Sequence, residues 1–262
     1  MEYTNIVGGR FLRRPNRFIA HCSLDSQAAS YKAGADSGAV ESGRETAVAA
    51  ETVVHVKNTG RCRELLVPEA RVYLEKSSNP ARKTAYDLIA VEKTVKNGSL
   101  LVNMDSQAPN QVFYEALAAG LSLPGQPGPW RQLRREVVFG GSRFDLYGQA
   151  ADGQGGLWQA YIEVKGVTLE EDGVVRFPDA PTERGAKHLK ELALAVEAGF
   201  AAYAVFVIQM KGVTYFTPHD ERDPAFGKAL RQAAQAGVNI LAYDCLVTPG
   251  SMILDAAVEV RL

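Results

Sequence analysis

Asp145 and, eighteen positions later, Glu163-Val164-Lys165 at the end of the apolar run Leu157-Trp-Gln-Ala-Tyr-Ile are the residues of this chain best suited to chemistry. Mg2+ is small and hard, retains several waters, and is held by one or two carboxylates plus substrate phosphate oxygens. Side chains alternate faces along a strand, so Glu163 and Lys165 point the same way while Val164 points into the core and leaves its carbonyl as a further ligand. A lysine beside the metal orients an attacking water or offsets charge growing on a phosphate, and the metal acidifies that water. An acid and a lysine two apart on an exposed strand are commonly only a weak, solvated ion pair. Against that reading, Lys165 is the sole lysine of the chain with an acid two positions before it, and its strand is apolar enough to be central.

The elements that must position these groups are legible around them. Arg134–Phe139 and Ser142–Tyr147 read as two strands about a Gly140-Gly141 turn, which brings Glu136 and Asp145 toward the Glu163 strand. Beyond it lies a hairpin tip at Glu170-Glu-Asp-Gly, a strand stopped by Pro178, and Thr182 as a helix N-cap. From Glu183 to Glu197 the apolar positions Ala186, Leu189, Leu192, Ala193 and Val196 recur at helical spacing and predict a face packed on a sheet. Arg184, Lys187 and His188 fall on the other face, either facing a phosphate at the helix start or simply solvated. The run from Ala201 to Met210 predicts a strand buried on both faces. A helix opened by Asp223-Pro224 and ended by Gly237 precedes a last strand, and Phe216 to Glu221 reads as an exposed loop. Strands alternating with helices give an α/β arrangement with right-handed crossovers, in which ligands sit at the carboxyl ends of strands.

Composition bounds the class. At 262 residues with 46% hydrophobic content the chain supports one or two cored domains. Cys22, Cys62 and Cys245 form no CxxC pair, and the four histidines show no HxH or HxxxH spacing, which argues against zinc or a disulfide framework. No apolar run reaches membrane-spanning length and no signal-peptide pattern opens the chain, so a cytoplasmic, membrane-free protein is expected.

Several runs resemble the bacterial and archaeal sugar fermentation stimulation proteins: Ser142-Arg-Phe-Asp145, Glu163-Val-Lys165, Phe177-Pro-Asp-Ala180, Arg184-Gly185 and Lys187-His-Leu-Lys-Glu-Leu192. So do Arg13-Arg-Pro-Asn-Arg-Phe-Ile-Ala20, His55-Val-Lys-Asn-Thr-Gly-Arg-Cys62, Asn79-Pro with Arg82-Lys83, and Pro109-Asn110. The resemblance implies an N-terminal OB-like β-barrel, placed at residues 1–83, followed by a PD-(D/E)xK nuclease-like α/β domain with a mixed central sheet at 84–262. It implies DNA bound without strong sequence preference and a link to sugar metabolism, maltose in particular. The nuclease-like cluster falls on Glu136, Asp145, Glu163 and Lys165, with Asp145, Glu163 and Glu136 as ligands to Mg2+ or Mn2+. Where relatives have a tight hairpin, the Ala/Ser/Gly-rich stretch from Gln27 to about Thr46 reads as an inserted flexible loop.

Charge divides between the two parts. Residues 1–83 hold 13 Lys and Arg against 9 Asp and Glu, and the remainder 16 against 21. The candidate nucleic-acid contacts are Arg13, Arg14, Arg17, Arg61, Arg82 and Lys83 in the first part and Arg184 and Lys187 in the second. Phe11, Phe18 and Tyr73 are the rings on which bases could stack, Phe18 being the one expected in the barrel core. The turn after His55 either presents donors to phosphate beside Arg61 and Arg63 or is an ordinary Asn-Gly turn. Two functions stand: a metal-dependent DNA endonuclease, or a non-catalytic DNA-binding regulator on an inherited nuclease scaffold. A homodimer is a candidate assembly for either.

Overall fold

The computed structural model describes residues 1–25, 50–58, 60–96, 98–152 and 154–262, so the inserted stretch expected between Gln27 and Thr46 lies outside the described residues. The chain forms two compact units, one of Met1–Gln107 with Leu246–Ile253 and one of Ala108–Cys245 with Leu254–Leu262.

The first unit is built from β1 (Ile6–Asn16), β2 (Ile19–Leu24), β3 (Glu51–Val56), β4 (Arg71–Lys76), β5 (Tyr86–Val95) and β6 (Gly98–Asn103). Their order is β3-β2-β1-β4-β5-β6, and a parallel pairing of β3 with β5 at His55↔Asp87 and Val56↔Leu88 closes the first five strands into an OB-like barrel. Alternation along the strands puts Ala20, Val54, Val72, Leu74 and Leu88 inside, each fully buried, while Ile6 lies on the opposite face in a cluster with Tyr3, Tyr73, Ile89 and Ala90. β1 and β2 approach closely at Gly9, where a Cβ would lie 2.5 Å from the Ser23 carbonyl oxygen. The barrel's closing strand lies beyond residue 83, where the sequence places the boundary. β5 has to pair with both β4 and β3, and β6 pairs with β5, so the chain through β6 and on to Gln107 belongs to this unit.

The second unit opens with α1 (Ala108–Ala118), β7 (Trp130–Phe139), β8 (Ser142–Ala151) and β9 (Leu157–Val167). It continues through β10 (Leu169–Glu171), β11 (Val174–Phe177), α2 (Glu183–Glu197), β12 (Ala201–Ile208), β13 (Tyr215–Pro218) and α3 (Pro224–Gln235). β14 (Asn239–Thr248), β15 (Ser251–Ala257) and β16 (Glu259–Val260) complete the chain. The main sheet has the order β15-β14-β12-β9-β8-β7, with β9, β12 and β14 parallel and the β7–β8–β9 meander antiparallel. This is the mixed sheet of the expectation. β12, uniformly apolar in sequence, is buried along seven of its eight residues.

Both helix starts follow their capping residues. The Thr182 hydroxyl accepts the Gly185 N–H at 3.0 Å, and Asp223 accepts from Phe226 at 3.0 Å ahead of Pro224 at the first helical position. Two readings are corrected. Phe216 to Glu221 is not simply an exposed loop: β13 pairs in parallel with β11 there, and Phe216 is wholly buried, stacked on Phe206 at 4.1 Å. The inner face of α2 carries Gly185, His188, Leu189, Leu192 and Ala195, so His188 points inward rather than to solvent.

Candidate metal centre and nucleic-acid surfaces

The β8–β9 ladder runs from Ala151↔Leu157 to Leu146↔Ile162 and stops there. One residue further on, the Asp145 side chain replaces the missing backbone partner. Its Oδ2 accepts the Val164 N–H at 2.8 Å, and its Oδ1 accepts from Asn110 Nδ2 on α1, also at 2.8 Å. The local divergence of two strands thus aims a carboxylate at Glu163 on the neighbouring strand.

Glu163 is 3% exposed, and its Oε1 accepts from Lys165 Nζ and from His188 Nδ1 on α2. His188 Nε2 accepts the Arg184 Nε–H at 3.3 Å, which assigns the ring proton to Nδ1. The Phe144 ring flanks the imidazole edge-on at 6.0 Å. The other carboxylate oxygen, Glu163 Oε2, is buried with no hydrogen-bond partner.

Burial, and then the negative charge of Glu163, push the Asp145 carboxyl up to about 6, against hydrogen bonds from Val164 and Asn110 and the nearby Lys165 charge. Burial alone would raise Glu163 as well, but the hydrogen bond from His188 and the Lys165 charge hold it below the usual carboxylate range. Two carboxylates are therefore held close in a poorly solvated place, with one oxygen lacking any donor. A hard divalent cation satisfies all three conditions. Among the described residues no group of three or more His, Cys, Asp and Glu side chains forms a complete metal cage. Two carboxylates with the remaining positions open to water form a donor set for a hard divalent cation rather than for zinc.

Glu136, the expected third acid, is not brought into this cluster. It lies on β7 with φ 56°, its side chain is 59% exposed, and its carboxylate pairs with Arg143 at 3.0 Å. The two groups the sequence reading did not assign to the cluster are Asn110 and His188. Both stood in motifs already singled out, but their inward direction depends on packing that the motif does not carry.

The basic residues separate into structural and available groups. Arg14 donates to the carbonyls of Asn58, Gly60, Arg61 and Arg17, so its guanidinium ties two barrel segments together. Arg82 forms a double hydrogen bond with buried Asp87, at 2.8 and 2.6 Å, beside His55 on the same carboxylate at 2.9 Å. His55 and Arg82 thereby fasten the closing strands of the barrel. Arg13 pairs with Glu51 at 2.5 Å on the surface, while Arg17, Arg61 and Lys83 are exposed. On α2, Arg184 and Lys187 are exposed, Lys187 donating to the Gly141 carbonyl at 2.9 Å. In the first unit a cavity of about 400 Å3 is bordered by Arg13, Arg17, Arg61 and Arg63. Phe18, next to Arg17, is 52% exposed, whereas Phe11 and Tyr73 are buried at 3% and 7%. This reverses the expectation for Phe18: it sits in the β1–β2 turn, where no opposing strand covers it.

Comparison with known proteins agrees over the whole chain. Residues 12–103 match the family pattern described as the SfsA N-terminal OB domain, and residues 107–251 the sugar fermentation stimulation protein RE domain. A sugar fermentation stimulation protein homolog of Desulfitobacterium hafniense strain Y51 is 48% identical over 262 residues, covering 100% of this chain and 99% of that protein. One from Ruminiclostridium cellulolyticum is 44% identical with both chains covered at 100%. The solved structure of Pyrococcus furiosus SfsA in complex with Ca2+ superposes with a TM-score of 0.78 at 25% identity, over 100% of this chain and 98% of that one. Among the described residues no helix is long and apolar enough to cross a membrane.

Proposed function

Since this chain belongs to the sugar fermentation stimulation protein family, we propose that it is a DNA-binding protein whose second unit carries a divalent-cation-dependent phosphodiesterase site. The observation that carries this reading is the buried, partnerless Glu163 Oε2 on a strand neighbouring that of Asp145, whose carboxylate is disfavoured by burial and by the Glu163 charge. Asp145 and Glu163 would hold the cation, which for this chemistry is Mg2+ or Mn2+; the relative from P. furiosus was solved with Ca2+. Such an ion polarises a phosphoryl oxygen and acidifies a water. Lys165, kept beside Glu163, orients the attacking water and offsets charge developing on the phosphate. Asn110 and the Val164 N–H fix the direction of Asp145, and His188 fixes Glu163. Arg184 and Lys187 lie at the start of α2, placed to meet the nucleic-acid backbone. The link to sugar metabolism, maltose in particular, follows as an effect exerted through DNA contact.

The second reading, a non-catalytic DNA-binding regulator, is favoured by the arginine-bordered cavity of the first unit and the exposed Phe18 ring. Incubation of the purified protein with plasmid and single-stranded DNA in Mg2+ or Mn2+, beside Asp145→Ala and Lys165→Ala, separates the two. Cation-dependent cutting that disappears in both variants supports the phosphodiesterase. Cutting that survives both substitutions sinks the assignment of this site. Binding in EDTA with no cutting in any cation supports the regulator.

A further inference from the structure

In the second unit a cavity of about 530 Å3 lies between the end of α1 and the edge strand β7. Its wall includes Tyr114 and Leu117 on α1 and Trp130, Arg131, Gln132 and Leu133 on β7. Arg131 is the one charged side chain on that wall, and among the described residues neither it nor the Gln132 amide has a hydrogen-bond or ion-pair partner. The Tyr114 hydroxyl is likewise uncommitted, while its ring carries Arg135 at 4.3 Å. The Trp130 indole N–H, by contrast, donates to the Leu121 carbonyl at 3.3 Å, and the ring leans on Trp158 at 5.6 Å, so this wall is rigid.

The cavity is joined to the carboxylate pair by short steps along α1. Asn110 holds Asp145, Gln111 holds Arg135 at 2.6 Å, and Tyr114 lies one helical turn beyond Asn110, about 6 Å along the axis. A single cation, an uncommitted amide and hydroxyl, and flat apolar walls match one nucleotide: one phosphate charge, base edges that hydrogen-bond, and a π-face. We propose that this cavity is a subsite for a nucleotide of the substrate strand flanking the bond held at Asp145 and Glu163. The subsite rests on the phosphodiesterase reading for its role and not for its binding.

The test uses the full chain in EDTA and a 5′-phosphorylated thymidine dinucleotide, titrated by calorimetry. The protein has two tryptophans, so Trp158→Phe leaves Trp130 as the only one and localises binding by its fluorescence. A saturable change in Trp130 emission is expected, with affinity about tenfold weaker in Arg131→Gln and in Tyr114→Ala. Unchanged affinity in Arg131→Gln and Tyr114→Ala, or displacement of the dinucleotide by an equal concentration of a neutral disaccharide, overturns the subsite. Cation-dependent cutting alongside either of those results would overturn the subsite alone. Dinucleotide binding at Trp130 without cutting in any cation would overturn the phosphodiesterase reading alone.

Discussion

In the proposed cation site, Asp145 is the residue at which stability of the fold and cation binding oppose each other. Its carboxyl is raised from 3.8 to about 6 by burial and by Glu163. A carboxyl raised in the folded state adds stability only while protonated: the contribution is full below about pH 4 and lost as pH rises through about 6. Above that range the ionised Asp145 costs the cation-free protein about 3 kcal/mol. Asp145→Asn should therefore raise the melting temperature in EDTA at pH 8, by an amount that shrinks toward pH 4, while abolishing cation binding. A melting temperature that falls at pH 8 would contradict the assigned cause. Cation affinity in the unaltered protein should weaken below about pH 6, because binding must then expel the Asp145 proton. His188 supplies the complementary case. His188→Ala removes the Nδ1 donor from buried Glu163, and a loss of about 1–3 kcal/mol with weaker Ca2+ binding by calorimetry is expected. His188→Asn places a donor near the Nδ1 position and should recover most of the Ca2+ affinity.

At the scale of elements, the site depends on α1 lying against β9. Gly166 sits at that contact: a Cβ there would meet Gln209 Oε1 at 2.5 Å and Pro109 Cγ at 2.7 Å. Gly166→Ala should push α1 outward, draw Asn110 away from Asp145, and cost about 1–3 kcal/mol in denaturant unfolding. Its effect on DNA cutting should exceed that of Thr182→Ala, which removes one cap from α2 for about 1 kcal/mol. Equal retention of cutting in both variants would show that α1 does not position the carboxylates. α2 contributes through one inward residue, His188, rather than through its basic outer face alone.

For the molecule as a whole, the two units carry opposite charge balances, and each has its own expected mode of DNA contact. Replacing Arg13, Arg17, Arg61 and Arg63 together by Gln should weaken DNA binding in EDTA and flatten the slope of affinity against salt. An unchanged slope would remove the barrel cavity from the binding surface. Arg14 behaves differently, because four backbone carbonyls depend on it. Arg14→Gln should lower barrel stability by about 2 kcal/mol, with DNA affinity changed little per folded molecule.

The order of types along the chain determined five of the six strands of the mixed sheet, all but the edge strand β15, together with the Gly140-Gly141 hairpin, the capped starts of α2 and α3, and the pairing of Glu163 with Lys165 two residues apart. These follow from local chemistry: period-two alternation, turn residues, capping side chains and uniformly apolar runs. Only the tertiary structure decided that Asp145 takes over a ladder hydrogen bond, that Asn110 and His188 converge on the carboxylates, and that Glu136 turns away to Arg143. It also decided that Arg14 and Arg82 are fastenings of the barrel while Phe18 stands free. The physical reason is common to all of these cases. A side chain's direction and partners are set by where strands diverge, which face of a helix meets the sheet, and what lies opposite, and those are contacts between segments far apart in sequence.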